Sequence, residues 1–200
     1  MEHSIAFHSC VRNGCYDEYL QLLQHVQSIS DRYRSTHNGQ DNPLLTFILQ
    51  ELAKEKLIMQ KNLEEILKAP AQLPAVVRAV GLLRRLEVYP PKELRVAFLL
   101  CRDKCFTDAM TAFESGSFSG SGSPYNFLSR ATDAIRANLF DIITQYRAIF
   151  SSDDSGVAGD SLLYSWATVR VNWFLSLLEK NVSKITEGNS LANIMDQCMY

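Results

Sequence analysis

Apolar side chains recur along this chain in steps of three and four, in six separate stretches, and a step of two never persists beyond four residues. Steps of three and four return to one side of a helix, whereas a step of two returns to one face of a strand. The pattern predicts an all-α protein, an elongated helical bundle or rod with essentially no sheet. Residues 129–150 carry the widest stripe. Ala131, Ile135, Leu139, Ile142, Tyr146 and Ile149 share a side there, and Phe140, Ile143 and Phe150 broaden it. Arg130, Asp133, Arg136 and Arg147 keep the opposite edge wet. A helix apolar over that much of its circumference is expected to lie between other helices.

The remaining stretches place five more helices. From Tyr16, a stripe of Tyr19, Leu22, Leu23, Val26 and Ile29 predicts a first helix that fades over 31–35. THNGQDNP, residues 36–43, is a concentrated turn signal. A long second helix follows, with Asp41 or Asn42 as its cap and Pro43 suited to its first position. In it Leu45, Ile48, Leu52, Met59, Leu63 and Ile66 fit a seven-residue repeat broken once by Lys56. Such a seam suits a coiled-coil-like partner helix, from the same chain or another. These seven residues are the candidate partner-binding helix. Ala69-Pro70 ends it.

A short helix starting near Pro74 should bury Leu73, Val76, Val77, Val80, Leu83 and Leu86. Gly81 within it costs about 1 kcal/mol relative to Ala unless a backbone packs close. Pro91 opens a fourth helix to residue 115, with Leu94, Phe98, Cys101, Cys105, Ala109 and Phe113 as its stripe. Residues 116–124 read as a flexible Ser/Gly linker. They divide an N-terminal helical segment, 1–115, from a second bundle, 125–200. After a polar loop at 151–160, Asp160 or Ser161 should cap a sixth helix lined by Leu162, Trp166, Val169, Trp173 and Leu177, with Val182 as a further candidate at its end. A break at 186–189 and a last short helix from Ser190 complete the reading. The sequence stops within an apolar pattern, so it is expected to be a piece of a longer protein.

Composition narrows the function. Twenty basic and 22 acidic side chains leave a formal net charge of -2, which disfavours nucleic acid and anionic membrane as partners. The five cysteines, Cys10, Cys15, Cys101, Cys105 and Cys198, form no framework that a chain this rich in apolar residues would need, and reduced cytosolic thiols are expected. No apolar run reaches the length of a membrane span, and the N-terminal ten residues lack a secretory pattern.

Chemical motifs are thin. Cys101 and Cys105 share a helix side, but no second pair of ligands lies near them, so two small buried hydrophobes are expected rather than zinc. His3, His8, His25 and His37 are scattered over turns and solvated surface. GSFSGSGS lacks the Lys-Ser/Thr and the preceding strand of a phosphate cradle. Asn181-Val182-Ser183 matches a glycosylation acceptor but falls inside a helix, and is expected to be unmodified. Trp166 and Trp173, seven apart, suit core packing, with a platform for a partner helix as the alternative. Arg84-Arg85 suits the C-terminal end of a helix dipole. No catalytic, cofactor or metal set emerges.

Several stretches carry a resemblance. CVRNGCYDEYLQLLQHV at 10–26 is similar to an RNG-Y-EA opening, and LPAVVRAVGLLRRLEVYPPKELRVAFLLCRD at 73–103 to a core signature. LFDIITQYRAIFS at 139–151 resembles its counterpart nearly word for word, and DQCMY at 196–200 resembles a segment that runs on further. These collinear stretches identify the chain as resembling the Dor1-like family, subunit eight of the conserved oligomeric Golgi complex, from about Cys10 to Tyr200. It departs from the family in lacking a helical coil before Met1, in its Ser/Gly stretch, and in ending before the family's C-terminal part.

The resemblance implies a helical, non-enzymatic subunit of a vesicle tether on the cytosolic face of Golgi membranes. Such a tether serves retrograde traffic within the Golgi and hence glycosylation. The implied partners are the other subunits of that complex, with SNARE proteins as a further class, a peripheral attachment to the membrane, no nucleic acid and no cofactor. A free-standing cytosolic adaptor for peptides or coiled coils is the alternative.

Overall fold

The computed structural model describes residues 11–117, 124–151, 156–182, 192–194 and 196, with side chains except at 112–117, 124 and 156–160. It is all-α. Helix α1 is Tyr16–Thr36, α2 Pro43–Lys68, α3 Leu73–Arg85, α4 Pro91–Ser117, α5 Pro124–Phe150 and α6 Gly156–Val182. Among the described residues there is no strand. The side chain of Phe113, residues 118–123 of the Ser/Gly stretch, the break at 186–189, and Cys10, Cys198, His3 and His8 lie outside the description.

Local chemistry sets the ends. After α1, Asn38 and Gly39 take left-handed φ values of 51° and 82°, and the Gly39 N–H donates to the Arg34 carbonyl at 2.9 Å. A left-handed pair stops a helix because the next N–H turns back onto the last carbonyls. Asn42 is the residue that caps α2: its Oδ1 accepts from the N–H of Leu44 at 2.9 Å and of Leu45 at 3.4 Å. Asp41 instead accepts from Arg34 Nε at 2.8 Å. The sixth helix starts at Gly156, earlier than the expected Asp160 or Ser161 cap. Val157 and Ala158 can continue a helix, and nothing in Gly159-Asp160 is rigid enough to stop one.

The chain gathers into two compact units. The first is drawn from Met1–Leu67 and Pro74–Pro91, the second from Lys68–Leu73 and Lys92–Tyr200. The chain thus passes between them after Leu67, after Leu73 and after Pro91, each time ahead of the Ser/Gly stretch. The physical reason is that α4 buries its stripe among α5 and α6.

In the first unit, Tyr19, Leu20 and Val26 of α1, Leu52, Met59 and Leu63 of α2, and Val76, Ala79, Val80, Leu82 and Leu83 of α3 form the core. The buried side of α3 is turned from the expected one, leaving Val77 45% and Leu73 36% exposed. Asp17 of α1 pairs with Arg85 of α3 and lies 3.8 Å from Arg78. Because Gly81 is open, with nothing near where a Cβ would stand, no close approach of backbone explains it.

In the second unit, α4 has the broadest buried side, although Leu100 is 65% and Val96 42% exposed on its other side. It buries Leu94, Arg95, Phe98, Leu99, Cys101, Arg102, Cys105, Phe106 and Met110. On α5, expected to be the enclosed one, Ala131, Ile135, Ile142, Tyr146, Ile149 and Phe150 are buried, but Phe140 is 70% exposed. Phe140 sits well around the helix from that stripe, between Arg136, Thr144 and Arg147, so its spacing places it on the wet side. Phe98 of α4 meets Phe150 edge-on at 5.6 Å and Tyr146 at 6.0 Å. Arg95 crosses to the end of α5, donating to the Phe150 carbonyl at 3.3 Å with its guanidinium over the Phe150 ring. That satisfies a carbonyl the helix leaves orphaned at its C-terminus.

Candidate helix-binding surfaces

The seven-residue repeat on α2 divides by burial. Leu52 and Met59 are 0% exposed and Leu63 1%. Leu45, Ile48, Lys56 and Ile66 are half-buried. Leu67, outside the repeat, is buried as well. The middle of the seam therefore packs within its own unit, against the side of α1 that carries Tyr19. There the Tyr19 hydroxyl donates to the Leu52 carbonyl at 2.6 Å. Burial, with the charge of Glu55 nearby, pushes that hydroxyl up to about 12, because an anion there would lose its hydration. At the far end, Tyr89 donates to Glu64 Oε1 at 2.6 Å, and Gln60 donates to both at 2.8–2.9 Å.

What α2 shows to solvent is a different set: Leu44 at 66%, Phe47 at 58%, Leu57 at 58% and Ile58 at 40%. Leu44, Phe47 and Ile58 fall on one side of the helix at a spacing of three and eleven. Spacing alone pointed to the seam because its repeat is longer; these outer residues were legible only as apolar positions outside it.

On α6 the two tryptophans face α4. Phe106 packs edge-on against Trp166 at 6.5 Å and Trp173 at 6.1 Å. Asp103 of α4 accepts from Trp166 Nε1 at 2.8 Å and from Arg170 Nη2 at 2.8 Å. Arg170 Nε lies 2.6 Å from Asp103 Oδ1 without the alignment of a hydrogen bond. The guanidinium also lies over the Phe106 ring at 5.9 Å. This network fixes the rotation of α6, and both tryptophans are half-buried. The expected stripe breaks at Val169, which is 56% exposed. Tyr164 at 74%, Leu175 at 48% and Val171 at 42% are exposed as well.

The second unit also holds a recess of about 480 Å³ between Lys68–Leu73, α4 and α5. Two of its lining side chains hold the chain's own backbone: Arg102 Nη1 donates to the Ala69 carbonyl at 2.9 Å and Gln145 Nε2 to the Ala71 carbonyl at 3.3 Å. Cys105 lines it without a histidine in the lining, so the recess pairs no thiol with an imidazole. Cys101 and Cys105 are buried and form no disulfide. Among the described residues no three of His, Cys, Asp and Glu gather as a metal site requires, and no helix is long and apolar enough to cross a membrane. What the surface offers instead is apolar helix exposed to solvent.

Comparison with known proteins bears on this. The sequence matches the Dor1-like family over residues 6–200. It is 34% identical over 201 residues to "Conserved oligomeric Golgi complex subunit 8" of Homo sapiens, covering 96% of this chain and 31% of that protein. The protein of the same name from Bos taurus is 33% identical over 201 residues, with 96% and 30% covered. That from Dictyostelium discoideum is 28% identical over 194 residues, with 96% and 24% covered. The chain thus spans less than a third of the length of these curated relatives.

Proposed function

This chain belongs to the Dor1-like family, and from that premise we propose that it is a structural part of a Golgi vesicle-tethering complex acting in retrograde transport within the Golgi. Golgi organisation and glycosylation depend on that traffic. The observation that carries the reading is the likeness along 96% of the chain to proteins named as subunits of the conserved oligomeric Golgi complex. Its partners are other subunits of that complex, and SNARE proteins are a second class. The chain works on the cytosolic face of the Golgi as a peripheral component and catalyses nothing itself.

The physical form supports the reading. A tether subunit needs helices whose inner sides hold the subunit together and whose outer sides meet other chains. α2 remains the contact expected from sequence, with its role moved to its outer side. The seam residues Leu52, Met59 and Leu63 stabilise the first unit, while Leu44, Phe47, Leu57 and Ile58 meet a partner, with Leu45, Ile48, Lys56 and Ile66 at the margin.

The test is complementation. In cells lacking the native subunit, the full-length protein should restore surface glycans seen by lectin staining and should co-purify with other subunits of the complex. Changing Leu44 and Phe47 together to Glu should weaken both while leaving the protein folded. If the unmodified protein recovers no subunit and leaves the glycans defective, the reading is wrong, and a free-standing adaptor takes its place.

A further inference from the structure

Asn-Gly occurs twice in the chain, at 13–14 and at 38–39. Asparagine ahead of glycine is the pair that loses its side-chain amide most readily, because the second residue has no side chain to hinder its backbone nitrogen. The reaction needs nothing but water. Hydroxide takes the proton of the glycine N–H, and the nitrogen attacks the asparagine Cγ. A C–N bond closes a five-membered succinimide, the Cγ–Nδ2 bond breaks, and ammonia leaves with a proton from water, which restores the hydroxide. Water then opens the ring. Attack at Cγ leaves aspartate; attack at the main-chain carbonyl leaves isoaspartate, whose backbone runs through Cβ. What a fold decides is how often the nitrogen can reach Cγ.

The two pairs differ in what holds them. Asn13-Gly14 lies in the turn ahead of α1, beside Val11, which is 2% exposed. The half-buried Gly14 donates its N–H to the Val11 carbonyl at 3.3 Å, so opening that turn disturbs a core side chain. Asn38-Gly39 lies between α1 and α2, where every residue from Arg34 to Asp41 is exposed. The Gly39 N–H donates to the Arg34 carbonyl in the last turn of α1. The braces around that bond are the Tyr33–His37 ring stack at 4.0 Å and the Arg34–Asp41 pair, whose side chains are 56% and 53% exposed. A helix-terminal bond of this kind frays without moving a buried side chain.

The product undoes the turn that held it. Asn38 has a φ of 51°, a left-handed conformation that asparagine tolerates. Isoaspartate there adds a methylene to the backbone, so Gly39 no longer meets Arg34 in the same geometry. Aspartate puts a carboxylate at the negative end of the α1 dipole, where it competes with Asp41 for Arg34.

We infer that Asn38 is a modification site: in the folded protein it loses ammonia ahead of Asn13, becomes aspartate and isoaspartate, and releases the last turn of α1. This holds whether or not the chain serves a tether.

The experiment ages the full-length protein at mildly alkaline pH, folded and in urea. Peptide mapping separates asparagine, aspartate and isoaspartate, with isoaspartate confirmed by methyltransferase labelling. In the folded protein, products should accumulate at 38 at least fivefold faster than at 13; in urea the two rates should agree within about twofold. Trypsin should cut after Arg34 at least twofold faster in aged than in fresh protein. Asn38→Gly places the favoured residue at the left-handed position. It should abolish the product at 38, leave 13 unchanged, melt no lower than the parent, and be cut equally fast before and after ageing. Absence of product at 38 in the folded protein overturns the inference, as does product at 13 as fast. The same excess of 38 over 13 in urea overturns it too, because the fold then selects nothing, and so does unchanged cleavage of the aged parent.

Discussion

On α2 the seven-residue repeat is covered at Leu52, Met59 and Leu63, which are 0%, 0% and 1% exposed; on α6 a second repeat, Tyr164, Thr168, Val171 and Leu175, is open at Tyr164, Val171 and Leu175, which are 74%, 42% and 48% exposed. The two helices have similar lengths, 26 and 27 residues, and the same spacing. The difference lies in their other sides. Apart from Leu44, Phe47, Leu49, Leu57, Ile58 and the buried Leu67, α2 is mostly polar or charged around its seam, so the seam is its largest apolar side and goes into the core. α6 is apolar nearly all round, so one side can go into the core while another stays outside. A helix apolar on every side is normally enclosed; among the described residues α6 is covered on one side and open on the other.

The comparison can be broken by putting charge on each seam. Leu52→Glu with Met59→Glu should abolish cooperative unfolding of the first unit, since each buried unpaired charge costs several kcal/mol. Retention of a normal melt would mean that α2 is not packed as described. On α5, Ile142→Asp, at a side chain 1% exposed, should lower stability by about 3 kcal/mol or more, with Arg136→Ala within about 0.5 kcal/mol of the parent. Equal melts of these two would show the sides of α5 to be reversed.

The anchors of the two helices give smaller effects. Asp103→Ala removes the shared acceptor of Trp166 and Arg170 and leaves Arg170, 22% exposed at its side chain, without its counter-charge. A loss of about 1–2 kcal/mol in urea unfolding is expected, and Arg170→Met beside it should recover part of that loss. Recovery of nothing would show that the ion pair does not hold α6.

Tyr19 anchors α2. Tyr19→Phe should cost about 1 kcal/mol near neutral pH, the value of one buried hydrogen bond. Its pH dependence has a definite sign. The hydroxyl ionises at about 12 when folded and near 10 when unfolded, so the folded state keeps its proton longer. Its contribution is complete below pH 10 and falls by about 1.4 kcal/mol per unit as pH rises from 10 toward 12. Urea unfolding should show the parent losing its lead over Tyr19→Phe within about one unit above pH 10 and falling below it as pH nears 12. Parallel curves would show that the hydroxyl is not buried.

The smallest effect sharpens the contrast. Val171→Glu with Leu175→Glu is expected to change stability by no more than about 0.5 kcal/mol. The same two charges on the α2 seam should unfold a unit.

By itself the sequence determined the helices. The steps of three and four, Pro43 and Pro91 at first turns, Asn42 as a cap and the Asn38-Gly39 turn are local, and local chemistry is enough to form and stop a helix. The paired tryptophans facing one way and the closeness of the chain to one family were also legible there. What only the tertiary structure decided is which apolar side is covered. Phe140 and Val77 read as core and are exposed; Leu52 and Met59 read as a partner surface and are buried. The chain also divides after Leu67, Leu73 and Pro91, all ahead of the Ser/Gly stretch. Periodicity reports which residues share a side of one helix. Which side is hidden depends on neighbours that lie tens of residues away, such as Tyr19 on Leu52 and Asp103 on Arg170, and no window along the chain contains both partners.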